Sequence, residues 1–87
     1  MISYINSKWK KSYKSLPLQI RTVAKKQYKL FKINPYHSSL HFKRVHSSKP
    51  IYSARINQNY RTLGVIQENV IVWFWIGSHD DYDKLIK

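Results

Sequence analysis

Residues Ile51–Ile76 read IYSARINQNYRTLGVIQENVIVWFWI, and the reading of this stretch decides the fold. In IYSARI, Tyr52, Ala54 and Ile56 fall on one side of an extended chain and Ser53 and Arg55 on the other. Asn57-Gln58-Asn59 is turn chemistry, because short amides bond back to their own backbone. YRTLGVI (Tyr60–Ile66) follows, then a tight Gln67-Glu68-Asn69 turn, then VIVWFWI (Val70–Ile76). Three extended runs joined by two short turns predict an antiparallel meander. The last run is apolar on both faces, which places it inside the sheet or covered on both sides.

Upstream of the meander, LHFKRV (Leu40–Val45) also alternates, with Leu40, Phe42 and Arg44 on one side. It extends the expected sheet to three or four strands. Before Pro35 the period is helical. Ile20, Val23, Ala24, Gln27, Tyr28 and Phe31 recur at the spacing of one helix face, and Arg21, Lys25, Lys29 and Lys32 line the other. Pro17 suits the first turn of this helix, and Asn34-Pro35 ends it. A shorter basic helix runs from Lys8 to about Ser15, with Ser7 as its expected N-cap. Ile2–Asn6 suits a short edge strand. Beyond Gly77-Ser78, DDYDKLI predicts a short C-terminal helix or tail. The expected class is α+β: two N-terminal helices packed on one face of an antiparallel sheet of three to four strands.

The chain has 87 residues, 43% of them apolar, enough for one modest core, and one domain over residues 1–87 is expected. There is no cysteine, which rules out disulfides and Cys-based zinc sites and fits a reducing compartment. The longest apolar run, Val70–Ile76, has the length of a strand and falls far short of a bilayer span. The lysines at the N-terminus follow its apolar residues, against the order of a secretion signal. A soluble cytoplasmic protein with no membrane partner is expected.

Charge is the strongest global feature. Sixteen Lys and Arg face four Asp and Glu, for a net charge of +12, and no acid precedes Glu68. So long an acid-free stretch points to a polyanion partner, nucleic acid first and an acidic protein second. Arg55 and Arg61 flank the Asn57–Asn59 turn and meet across a hairpin, a suitable clamp for a phosphate. Lys43 and Arg44 extend this clamp. Isolated strand arginines are also common on plain solvated faces.

Three of the four acids stand in HDDYDKLIK, beside His79. On a helix, His79, Tyr82 and Asp83 lie at i, i+3 and i+4 on one face. Histidine moves protons near neutral pH, and Asp83 is placed to hold its tautomer. Asp80 is available as an N-cap or a first-turn anion. The plain alternative is that Asp80 and Asp81 only start a helix, that Asp83 pairs with a nearby cation, and that Tyr82 packs. His37 and His41 are four apart, but Pro35 and the alternation that follows oppose a helix there, so no metal site and no cofactor are expected. His46 reads as exposed. Trp73 and Trp75 read as core residues before base-stacking ones.

These residues together resemble the RelE/ParE superfamily of toxins from bacterial type II toxin–antitoxin systems. The matching positions are Leu16-Pro17, Ala24, Tyr28, Leu30-Phe31, Asn34-Pro35, Ser39–Val45, Tyr52–Ile56, Tyr60–Val65 and Trp73–Leu85. The tail WFWIGSHDDYDKL is the most specific part and is similar to the mRNA interferase branch. The resemblance implies a cytoplasmic toxin that cuts mRNA on the ribosome without a metal, inhibits translation, and is held by an acidic antitoxin. It implies Arg61 as the phosphate-binding arginine, Arg55 as its partner, and His79 at the position where relatives carry an arginine or histidine, with Tyr82 and Asp83 completing the catalytic set. Ser53 stands where some relatives have a further lysine, so the basic cluster is thinner here. The alternatives are a ParE-like toxin that blocks DNA gyrase by binding and a catalytically inactive nucleic-acid-binding relative. Oligomeric state is left open.

Overall fold

A computed structural model describes residues 1–86. Its elements are β1 (Ile2–Ile5), α1 (Ser7–Lys14), α2 (Leu18–Ile33), a 3-10 turn (Ser38–Leu40), β2 (Lys43–Arg44), β3 (Ile51–Asn57), β4 (Tyr60–Gln67), β5 (Val70–Ser78) and α3 (His79–Ile86). The class is α+β, as expected.

The sheet has five strands in the order β1-β5-β4-β3-β2. The three-to-four-strand antiparallel expectation is corrected in two ways. The N-terminal strand joins the sheet, and it pairs parallel to β5, with Ile2 opposite Val70 and Ile5 opposite Trp73. The apolar β5 is therefore flanked on both edges, which is why it lacks a polar face. LHFKRV keeps only Lys43 and Arg44 as strand. Leu40 leaves the alternation to sink into the core at 1% exposure, and His41 takes up a left-handed backbone that breaks the extended chain.

Helices α1 and α2 cover one face of the sheet. Trp9, Ala24 and Phe31 bury against Ala54, Ile56, Ile71, Trp73 and Ile76. Phe31 meets Trp73 edge-on, with ring centroids 5.1 Å apart. The buried indoles keep their N–H groups satisfied. Trp9 Nε1 donates to Thr62 Oγ1 at 2.9 Å, and Thr62 donates on to the Trp75 carbonyl at 2.8 Å. Trp73 Nε1 donates to Ser3 Oγ at 3.1 Å, which is how β1 is fastened to the core. The cap of α1 is Asn6, one residue before the expected Ser7. Its Oδ1 accepts the Trp9 N–H at 3.0 Å.

Helix α3 lies on the other face, so the helices are not all on one side. Tyr82 is its buried residue, at 6% exposure. The expected helix over DDYDKLI starts earlier, at His79. Ser78 Oγ accepts the Asp81 N–H at 3.2 Å, which leaves Asp80 as a first-turn anion and not the cap. No helix among the described residues is long and apolar enough to cross a membrane.

Candidate active site

The site grows out of the β3–β4 hairpin. Arg55 stands directly opposite Arg61 in the register, and Arg61 is in turn opposite Gly77 of β5. Arg61 is held from below. Its Nη1 donates to the carbonyls of Asn57 at 2.6 Å and Tyr60 at 3.0 Å. That leaves the rest of the guanidinium fork for a ligand. Burial pushes the Arg61 guanidinium below its ordinary value, and the Arg55 charge pushes the same way, while Tyr82 and Asp83 pull it back up. Two like charges in register destabilise a strand pair. The arrangement makes physical sense as a place where an anion supplies the missing charge.

The same turn sets the start of α3. The His79 N–H donates to the Asn59 carbonyl at 2.8 Å, so His79 is fixed beside the hairpin that carries both arginines. Gly77 makes this approach compact: a Cβ there would meet the Trp75 ring at 2.5 Å. From His79 the helix delivers the expected geometry. His79 Nδ1 stands 3.1 Å from Asp83 Oδ2, one turn on, so Nδ1–H donates to the carboxylate and Nε2 is left as the free ring nitrogen. The Tyr82 ring is 5.8 Å from the imidazole, and its hydroxyl donates to Ser53 Oγ at 3.4 Å.

His41, Lys43, Ser53, Arg55, Arg61, His79 and Tyr82 line one cavity of about 100 Å³. Of the residues singled out in the sequence, the structure brings Arg55, Arg61, His79, Tyr82 and Lys43 to this cavity, with Asp83 behind His79. Arg44 is not brought there. It pairs with Tyr52, and its Nε donates to the His46 carbonyl at 3.0 Å. Lys43 sits opposite Ser53, so a cation reaches the cavity from the edge strand where β3 itself has only a serine. At 3% exposure, Ser53 is small enough to let Tyr82 close over it.

His41 was missed by sequence reasoning. The alternation of LHFKRV hid it, and the only available signal was that histidine tolerates left-handed backbone better than most residues. Among the described residues, the ring of His79 and the carboxylates of Asp80 and Asp83 also bring three ligand atoms within 4.8 Å of one another, a set the expectation of no metal did not anticipate.

A small basic α+β domain with a cavity lined by Arg55, Arg61 and Lys43 and a His79–Asp83 pair beside it sets the class. The chain belongs to the ParE-like toxin domain family, whose model matches residues 18–84, and so to the RelE/ParE superfamily of toxins from toxin–antitoxin systems. No curated protein matches it in sequence. Its fold is similar to the RelB–RelE antitoxin–toxin complex from Methanococcus jannaschii, at 15% identity and TM-score 0.76, over 97% of this chain and 99% of that one. It is similar to YafQ from Escherichia coli, at 15% identity and TM-score 0.71, over 92% and 94%. It is also similar to the RelBE2 toxin–antitoxin complex from Mycobacterium tuberculosis, at 17% identity and TM-score 0.69, over 90% and 96%.

Proposed function

We propose that this toxin is an endoribonuclease that cuts mRNA on the ribosome and so stops translation in the cytoplasm. The observation that carries the reading is the 3.1 Å His79–Asp83 pair at the rim of a cavity that also holds Arg55 and Arg61. A protein that only binds a polyanion needs the arginines. It has no need of a histidine whose tautomer is fixed by a carboxylate.

The geometry supports the following chemistry. A phosphodiester seated in the cavity has its non-bridging oxygens against Arg55 and Arg61. His79 Nε2 takes the proton of the neighbouring 2′-OH, the 2′-oxygen attacks phosphorus, and the P–O5′ bond breaks with the departing 5′-oxygen taking up a proton. The phosphorane gathers negative charge, and the two guanidinium groups stabilise it in place. Asp83 stabilises the imidazolium that forms. No step in this scheme is routed through a metal. The proposed partner is an acidic antitoxin that covers the Arg55–Arg61 face. The similar complexes from Methanococcus jannaschii and Mycobacterium tuberculosis are toxin–antitoxin pairs, and the acid-free chain before Glu68 calls for acidic cover.

The second reading, a ParE-like toxin that inhibits DNA gyrase, is favoured by the description of the matching family. One pair of assays separates the two. In a purified translation reaction the toxin should leave new 5′ ends within mRNA codons, and in a gyrase supercoiling assay it should leave the product unchanged. Blocked supercoiling with intact mRNA would reverse the assignment.

A further inference from the structure

RNA cleavage of this kind also needs an acid. As the P–O5′ bond breaks, the departing 5′-oxygen must receive a proton. His79 is taken, because it receives the 2′-OH proton. Tyr82 is poorly placed, since it is 6% exposed and its hydroxyl is turned to Ser53.

The four histidines divide cleanly. The His37 ring accepts the Ser39 N–H at 3.2 Å and the His46 ring accepts the Lys49 N–H at 2.9 Å, so both serve to close local turns. His79 and His41 line the cavity. The His41 imidazole makes no hydrogen bond among the described residues. Its backbone stands at φ 45, ψ 44, in the left-handed region, immediately after the 3-10 turn. For a residue with a Cβ this conformation is costly, and such positions persist where the surrounding structure or the function requires them. Here it turns the chain so that His41 and Lys43 both face the cavity.

We propose that His41 is the general acid of the reaction under "Proposed function", on which this inference rests. Protonated His41 gives its proton to O5′ as the P–O5′ bond breaks. The 2′-oxygen to phosphorus bond forms in the same displacement, and the 2′-OH proton ends on His79. The products are a 2′,3′-cyclic phosphate and a 5′-hydroxyl. In this scheme the two histidines, both lining the cavity, serve the two ends of one displacement.

The test uses the full chain and ribosomes programmed with a short mRNA. The mRNA carries one scissile linkage in which sulfur replaces the 5′-bridging oxygen. A thiolate leaves without protonation, so loss of a general acid no longer matters on this substrate. His41→Asn is the variant, since asparagine accepts left-handed backbone. It should cut the ordinary linkage about 10²–10⁴-fold more slowly than the parent, the range of a general acid–base contribution. It should cut the sulfur linkage within a few-fold of the parent, with a Tm no lower. His79→Ala and Lys43→Ala should stay slow on both linkages. Equal cutting of the ordinary linkage by His41→Asn and parent overturns the assignment, as does an equal loss on both linkages. A parent that cuts neither linkage fails the ribonuclease reading itself, and is distinguished from the other outcomes by that alone.

Discussion

Arg61 cannot swing away from Arg55, because two backbone carbonyls hold its Nη1. In the proposed reaction it would therefore act by position as well as by charge. Arg61→Ala should slow RNA cleavage by about 10²–10³-fold, the usual loss for one preorganised donor to a developing anion. Lys25→Ala and Lys29→Ala should change it far less, because those lysines are exposed on α2, across the sheet from the cavity. Equal losses in single-turnover rates for all three would mean diffuse attraction and no clamp. At the same scale, Asp83→Asn should cost less than loss of His79, because the amide still accepts a hydrogen bond and only the charge is gone. His79→Gln should not restore activity, since an amide cannot carry a proton near neutral pH.

Among the elements, the strands and helices with a regular period were the legible ones. Helix α2 was announced by its apolar stripe from Ile20 to Phe31, and β3, β4 and β5 by their two short turns. The C-terminal helix was readable as one face bearing His79, Tyr82 and Asp83. What stayed hidden depends on partners distant in sequence. Ile2–Ile5 reads as a strand, but nothing in it names β5 as its neighbour or the pairing as parallel. Leu40–Val45 alternates like a strand, yet the burial of Leu40 and the left-handed turn at His41 override the pattern, and with it went the cavity role of His41. The β4–β5 register slips in a bulge between Leu63 and Gly64, and the lone glycine inside the YRTLGVI strand is the one local sign of it. This bulge yields a prediction. A Cβ at Gly64 would lie 2.8 Å from Trp73 and 2.9 Å from Ile71, both buried and unable to move aside. Gly64→Ala should destabilise the fold by about 1–3 kcal/mol, the common cost of overpacking. Urea unfolding that gives the parent's midpoint would show that the core has slack at this point.

For the whole molecule, the +12 charge is the term that the sequence made plain and the fold distributes. The lysines of α1 and α2 lie on one side, and the Arg55–Arg61 cavity opens on the other. If RNA binding neutralises about five phosphates, log K should fall with log salt at a slope of about −3.5, at roughly 0.7 per phosphate for single strands. A flat response in a fluorescence titration would remove nucleic acid as the ligand. The antitoxin, on the same logic, should bury Arg55 and Arg61. A complex in which hydrogen exchange at the hairpin and α3 stays as in the free toxin would place the partner elsewhere. The central proposal is that His79 moves the proton that starts cleavage. The most direct measurement is the rate at which ribosome-bound mRNA is cut by the parent and by His79→Ala, with the variant first shown to be folded. The predicted result is a loss of about 10²–10⁴-fold with mRNA binding retained. A folded His79→Ala that cuts as fast as the parent would contradict it, and would leave the His79–Asp83 pair as no more than the first turn of a helix.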